Sequence, residues 1–463
     1  MDGVTDAASR AAEAARTSYG RLLALLAARC GDVTAAEDAL ADAFERAVRR
    51  WPVDGVPANP DAWLLTVARN RVRDVAAGAP VRRTVALDLR RHDLRLLDRI
   101  DPDELEDRRL ELMFVCAHPA IDPAVRTPLM LNTLLGCTAD QIGRAFAVPK
   151  ATMAARLTRA KTRIRDARIP FRVPDRAEFP ARVDAVLETV YGAFAIDWHS
   201  TGRELHESLT GEALYLAEVL TEVLPEDPEA HGLAALIDLC TARAPARRDA
   251  EGRYVPLERQ DRGRWDAELL ARGYAHLRRA YAFATLGRYQ LEAAVQAAEG
   301  AGADPAVILD AHRALHRLAP TLGSATSLAA ATARVHGPAA GLAVLDAEVG
   351  DRRFQPGWAI RAHLCAALGR AEEAHAAYTR AIDLSHDSAE RRFLAEARDA
   401  LDLRRSAVPG AARPAPGFCD GTPGVIGPPG TMGPPGTPGS TGPGGPYPSG
   451  SCGLPFPVAH HSE

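Results

Sequence analysis

Lysine is almost absent from this chain. Of its 56 basic residues only Lys150 and Lys161 are lysines, and asparagine occurs three times. This bias resembles that of a GC-rich coding sequence, so the abundance of arginine does not by itself identify a nucleic-acid partner. Aromatic residues make up 5%. Runs of β-branched residues are few while Ala and Leu dominate, which predicts a mostly helical protein. Near the start the longest apolar run is Leu22–Ala28, seven residues held between Arg21 and Arg29. That is too short for a signal peptide or a membrane span, so a cytoplasmic protein without membrane contact is expected. The seven cysteines (30, 116, 137, 240, 365, 419 and 452) contain no C-x-x-C pair and no zinc spacing. An odd, scattered set fits a reducing compartment. G-x-S-x-G, H-E-x-x-H, Walker A and G-x-G-x-x-G patterns are all missing, and His206-Glu207 has no second His. Neither an enzyme nor a cofactor is expected, and Cys116 and His118 lack the further ligands a metal would need.

The chain does carry a strong local asymmetry of charge. Its 463 residues, 47% hydrophobic, suit two or three domains with real cores. A net charge of −4 would not by itself suggest a DNA-binding protein. Yet residues 144–168 hold eight basic residues against one acidic, Asp166, while 98–111 hold seven carboxylates. Within the basic segment, Thr138 or Asp140 can cap a short helix that turns Ile142 and Phe146 inward. Ala147–Pro149 breaks it. The next helix places Met153, Leu157, Ala160 and Ile164 at i, i+4, i+7 and i+11, one apolar stripe, with arginines on its other faces. This is a helix-turn-helix with a basic second helix, suited to a major groove and its phosphates. A basic amphipathic helix in an ordinary helical domain would read the same way.

The segment Val148-Pro149-Lys150-Ala151-Thr152-Met153-Ala154-Ala155-Arg156-Leu157-Thr158-Arg159-Ala160-Lys161 resembles the recognition helix in region 4 of extracytoplasmic-function (ECF) sigma factors. Two upstream segments, 36–48 and 59–74, resemble the polymerase-binding and promoter-facing helices of region 2. Further matches point to the ECF group with a long C-terminal helical extension. They are Arg50–Pro57, Cys116–Ala120, Ile169–Pro174, Ala242–Arg247 and Gln260–Trp265. The resemblance covers about 15–405. It departs after Phe194, where the group has Asn-Glu-Gly-Tyr and this chain has Ala195-Ile196-Asp197-Trp198. The basic run after 59–74 is also weak.

The resemblance implies a sigma factor that joins core RNA polymerase through the β′ coiled coil and the β flap and directs initiation at promoter DNA. It places Lys150, Thr152, Arg156, Arg159, Lys161 and Arg163 on the −35 element. Arg69, Asn70, Arg71 and Arg73 fall on the melted −10 strand, and Asp38, Asp42, Phe44 and Glu45 on polymerase. Trp63 has two readings, a platform for an unpaired base or, from its helical spacing with Val67, a core residue. A helix-turn-helix regulator that does not join polymerase is the alternative function.

The expected organisation is region 2 at 15–78, a linker at 79–107, region 4 at 108–169, a helical extension at 178–405 and a tail at 408–463. Leu22, Leu25 and Leu26 have helical spacing, as do Ala36, Leu40, Phe44 and Val48, and Pro52, Pro57 and Pro60 mark an interhelix loop. In the extension, Leu368-Gly369-Arg370, Ala374, Tyr378 and Ala381 match a tetratricopeptide-like (TPR-like) helix hairpin, and Gly287 and Gly337 open weaker copies. Such a stack offers a surface for a peptide or protein partner. In the tail, Gly recurs every third residue from Gly421 to Gly445. This reads as a short collagen-like tract or, lacking good triplets, as a disordered segment.

Overall fold

The computed structural model describes residues 14, 18–76, 107–146, 148–197, 209–385 and 387–406. The expected linker (apart from Asp107) and the Gly-x-y tail lie outside the described residues. Within those limits the chain is all-α: eighteen α-helices and one isolated β-bridge, Arg248 to Tyr254.

The first bundle is α1 (Tyr19–Cys30), α2 (Val33–Asp54) and α3 (Pro60–Ala76). Asp32 starts α2 by accepting hydrogen bonds from the backbone N–H of Thr34 and Ala35. Asn59 does the same for Ala62, with Pro60 behind it as first helical residue. Two expectations for α2 need correction. Pro52 does not mark a loop; it lies in the last turn of the helix, which runs on to Asp54. The hydrogen bond it cannot donate would have gone to the carbonyl of Val48, on the exposed side, where water can serve instead. Val48 itself is 52% exposed, and the inward stripe runs through Ala36, Leu40, Ala43, Ala47 and Trp51.

The second group is α4 (Arg109–Cys116), α5 (Pro123–Thr133), α6 (Ala139–Ala145) and α7 (Lys150–Asp166). A single 3-10 turn, Arg176–Ala181, then leads into α8 (Val183–Asp197), α9 (Leu209–Val223) and α10 (Pro228–Thr241). One apolar core runs without a break from α1 to α12 (Arg288–Ala301), joining Leu22, Leu64, Phe114, Leu129, Met153, Val190, Leu216, Leu236 and Ala293. The expected region 2, region 4 and the start of the extension therefore share a single core, rather than three cores separated at 79–107 and at Pro170–Pro174. The packing is close. A Cβ on Gly20 of α1 would overlap the carbonyl oxygen of Leu134 at the end of α5, so only glycine lets these backbones meet.

Beyond α10 the chain folds as antiparallel helix pairs. They are α10 with α11 (Ala267–Tyr281), α12 with α13 (Pro305–Leu318), α14 (Leu322–His336) with α15 (Pro338–Glu348), and α16 (Gln355–Ala367) with α17 (Ala371–Leu384). A last helix, α18 (Ser388–Ser406), packs on α17. Ala374, Tyr378 and Ala381 are buried in α17, where the repeat pattern puts them. Gly337 and Gly369 turn the chain between paired helices with positive φ. Two smaller apolar clusters serve this end. One is centred on Ala329, Leu345, Ile360 and Leu364, the other on Ala362, Tyr378 and Leu394. None of the described helices is long and apolar enough to cross a membrane.

Candidate nucleic-acid interface

The turn between α6 and α7 is built by its own residues. Thr138 takes the cap: its hydroxyl accepts from the Gln141 N–H at 3.2 Å, and Gln141 Oε1 accepts from the Thr138 N–H at 2.8 Å. Gly143 lets the chain fold back, since a Cβ there would lie 2.6 Å from the Val148 carbonyl oxygen. Pro149 then opens α7. Met153, Leu157, Ala160 and Ile164 all point into the core, as the stripe predicts. That orientation fixes the other faces. Lys150, Thr152, Arg159 and Arg163 are exposed and Arg156 is half-buried, leaving an outward row of cations and one hydroxyl.

Lys161 does not belong to that row. Its ammonium lies 2.7 Å from both carboxylate oxygens of Glu37 and 2.7 Å from Asn132 Oδ1. Three acceptors use all three of its donors. Glu37 is on α2, so this contact ties α7 to the first bundle. Arg165 adds a longer contact of 3.9 Å to Asp32 at the start of α2. Burial raises the Glu37 carboxyl pKa, and Lys161 opposes that rise. Nothing in the sequence points to this pair, whose members stand 124 positions apart.

The α2 residues are split. Asp38 and Glu45 are exposed, and Phe44 is half-buried with its ring packed on the core. Asp42 is taken up by Arg46 at 3.0 Å and Arg71 at 3.9 Å. Glu45 pairs with Arg49 on the surface. Val48 and Val53 stand exposed beyond them, 52% and 83%. The exposed side of α2 thus carries Asp38 and the Glu45–Arg49 pair together with Val48 and Val53.

On α3, Trp63 is only 5% exposed and packs edge-on against Trp51 at 5.6 Å. Of its two readings, the core one holds: no ring face is free for a base, because burying the indole removes far more apolar surface from water than stacking would. Arg69 is half-buried, its pKa lowered by burial and by nearby Arg29. Arg71 leans back onto Asp42, and exposed Arg73 donates to Asn70. Arg69 and Arg73 are the α3 cations with no ion pair to an acidic side chain among the described residues.

Cys116 and His118 have structural partners. The Cys116 thiol is buried beside the Thr133 hydroxyl, and burial pushes its pKa up to about 12. His118 Nδ1 accepts from the Ala120 N–H. Among the described residues no group of three or more His, Cys, Asp or Glu could hold a metal.

No pattern in the sequence singles out Arg109, yet it anchors a junction. It is buried, forks onto Asp107, reaches Glu212 of α9, and lies 4.6 Å from the Tyr215 ring centre. Tyr215 in turn donates to Asp107 at 2.8 Å. The last carboxylates of the acidic 98–111 segment are therefore used inside the fold, Asp107 here and Glu111 against Arg108.

The second group of helices thus presents an exposed cationic face on α7, set by a capped turn. Comparison with known proteins gives the family. Residues 15–78 match sigma-70 region 2, and residues 182–281 match a family of unknown function (DUF6596). An uncharacterized protein of Rhizobium meliloti (strain 1021) is 34% identical over 390 residues, which cover 81% of this chain and 91% of that protein. No solved structure matches. The chain belongs to the sigma-70 family of RNA polymerase sigma factors and carries a long C-terminal extension. Core RNA polymerase and promoter DNA are accordingly its partners.

Proposed function

We propose that this sigma factor is of the ECF class and directs initiation at a two-part promoter under the control of its own extension. The outward row Lys150, Thr152, Arg156, Arg159 and Arg163 reads the −35 element as duplex, early residues at base edges and later arginines on phosphates. Arg69, Asn70 and Arg73 on α3 hold the opened −10 strand. Asp38, Glu45 and the exposed Val48 and Val53 receive the polymerase. The TPR-like pairs from α10 onward form the regulatory part.

The observation that carries this reading is the match of 15–78 to sigma-70 region 2, followed along the chain by a capped helix-turn-helix whose outward face is cationic. Run-off transcription with purified core polymerase tests it. Specific initiation that needs both the protein and core supports it. Specific duplex binding that is indifferent to core would instead favour a regulator that does not join polymerase.

A further inference from the structure

The 14 histidines are scattered along the sequence, and His231 and His276 stand 45 positions apart. The fold brings these two together. His231 lies in the first turn of α10 and His276 in the third turn of α11, and those helices pack as an antiparallel pair. Their rings stack with centres 5.6 Å apart, and their Nδ1 atoms face each other at 3.4 Å. Each ring is also held at its other nitrogen. His231 Nε2 is 3.1 Å from the Pro225 carbonyl oxygen, in the turn between α9 and α10. His276 Nε2 is 3.3 Å from Glu218 Oε2 on α9. His231 is buried, and Phe283 stacks on it as well.

These contacts fix the tautomers. A carbonyl oxygen only accepts, so His231 Nε2 carries a proton. An ionised carboxylate also only accepts, so His276 Nε2 carries one too. A neutral imidazole has a single N–H, which leaves both Nδ1 atoms as bare lone pairs facing one another. Two acceptors so placed repel unless a cation stands between them. A proton suits the gap poorly. At 3.4 Å the nitrogens are far apart for a hydrogen bond, and burial, with His276 and Arg279 close by, lowers the His231 pKa. A metal ion suits it well. Two nitrogens bound at ~2.0–2.1 Å on a tetrahedral ion stand about 3.4 Å apart. The outer contacts fit too, since a ligating histidine usually passes its other N–H to a carboxylate or a backbone carbonyl. Around the pair stand the carboxylates of Glu218, Asp227 and Asp238 and the guanidiniums of Arg272 and Arg279, so the acids outnumber the bases.

We infer that His231 and His276 form a two-histidine site for a transition metal ion of the zinc type, bound through both Nδ1 atoms. Only these two side chains ligate, in keeping with the absence of any three-residue metal group among the described residues. Water takes the remaining positions, so the site is open and exchangeable rather than closed and structural. Imidazole donors favour zinc, nickel, cobalt or copper over magnesium and calcium. The ion ties α10 to α11 and, through His276 and Glu218, holds α9 in place. All three helices lie within 182–281, the part of the extension that matches a family of its own. Metal loading therefore sets how firmly the first helix pair of the extension is held.

The test uses the untagged full chain, freed of metal by a chelator, with zinc and cobalt ions as probes and magnesium as the control. Zinc should raise the melting temperature and magnesium should not, because an ion that binds only the folded state stabilises it. Cobalt should give the visible bands of a nitrogen and oxygen site without thiolate charge transfer, which separates it from the cysteines. His276→Gln should weaken zinc binding by roughly tenfold or more, and Glu218→Gln, which keeps both ligands, by about tenfold. Substituting His460 and His461, neighbours in the tail sequence, should change nothing. If His276→Gln loses helix content, Glu218→Gln decides alone, since the Glu218 side chain is 42% exposed. A melting temperature indifferent to zinc would overturn the proposal, as would equal zinc binding by the wild type and the folded variants. Neither polymerase nor promoter enters the experiment, so its failure would leave the assignment as a sigma factor untouched.

Discussion

The Lys161 ammonium sits 2.7 Å from the Glu37 carboxylate, and this contact holds α7 against α2. Both side chains are largely buried, 12% and 18% exposed. A buried pair of this kind is a weak source of net stability when whole, but losing one partner leaves the other charge unsatisfied in a poor solvent. The expected outcome of Glu37→Gln is a loss of about 1.5–3 kcal/mol, the range for a hydrogen bond to a charged group. The check is a thermal melt together with hydrogen exchange over 150–166, which should speed up in the variant. Unchanged exchange there would mean that the apolar stripe alone fixes α7.

Arg156→Ala with Arg159→Ala should behave in the opposite way. The two guanidiniums point outward, Arg159 exposed and Arg156 half-buried, so the melting temperature should stay nearly constant. Promoter binding by the holoenzyme should weaken by roughly 1–3 kcal/mol for each arginine that bonds a base edge and by less for one that holds a phosphate. Lys161→Ala is the control that separates the faces of the same helix: it should lower stability first. Measuring melting temperature and promoter affinity for all three variants tests the division. Full promoter binding by the double variant would remove α7 as the reading helix.

Much of this division is legible in the sequence, and the rest is out of its reach. Periodicity gives the inward face of a helix directly, and Met153, Leu157, Ala160 and Ile164 are buried as their spacing requires. Local caps are equally readable, because Thr138 and Gln141 are three residues apart. What periodicity does not report is which inward face meets which. Glu37 and Lys161 are 124 positions apart, and each looks like a surface charge in its own segment. Trp63 is another case: its spacing allows both a core and a base-stacking role, and only the proximity of Trp51 decides. The prolines of the α2–α3 connection mislead for a different reason, since Pro52 near a helix C-terminus removes one hydrogen bond on a hydrated side and need not end the helix.

Charge reversal separates the carboxylates of α2. Asp38→Lys should reduce association with core polymerase and leave stability unchanged, because Asp38 is exposed. Asp42→Lys should reduce association too, but with an added loss of roughly 0.2–1 kcal/mol, the usual range for exposed ion pairs, as Arg46 and Arg71 lose their partner. Competition for core against the wild type, read beside the melting temperature, checks both. Normal competition by the Asp38→Lys, Asp42→Lys protein would move the polymerase surface elsewhere.

The polar interior of the extension makes a pH prediction. Glu292 is buried beside Arg288, which lies 4.8 Å from the Tyr191 ring centre and 5.3 Å from that of Tyr289. Burial raises the Glu292 pKa to about 7, against the pull of Arg288. The folded state therefore holds this proton more tightly than the unfolded chain. Its contribution is fully present below the ordinary carboxylate pKa of about 4.5 and is lost as pH rises through about 7. His312 works in the other direction. Burial lowers its pKa to about 4, so its contribution is present above its ordinary value of 6.5 and lost as pH falls through about 4. The two windows overlap, so the test is a difference. The melting temperature of Glu292→Gln relative to wild type should rise between pH 5 and pH 8. A flat difference would show that Glu292 is ionised throughout that range.

The continuous core decides where the chain can be cut. Residues 170–178 look like a boundary in the sequence, with Pro170 and Pro174 as punctuation. Yet Val186, Val190 and Phe194 of α8 share a core with Leu129 and Met130 of α5. Across that junction Thr127 donates to Glu188, Arg126 to the Ala181 carbonyl and Arg182 to the Phe114 carbonyl. Ending the chain at 178 strips this apolar face from α4 and α5 and also removes Glu212 and Tyr215 from Arg109. Each large side chain uncovered costs about 1.5–3 kcal/mol. The protein ended at 178 should therefore aggregate or melt far below the full chain, and its loss of transcription would say little about regulation. Ending at about 303 is different, since the core that begins at α1 closes by Ala297 and the cut beyond it removes chiefly side-chain contacts such as Arg248 to Asp387, Tyr254 to Phe393 and Glu299 to Arg334. That protein should keep a cooperative melt. Run-off transcription from it, compared with the full chain, then reads the contribution of α13–α18 together with the tail. A chain ended at 178 that melts like the full protein would show that α1–α7 form an independent unit, and the common core would not be what holds them together.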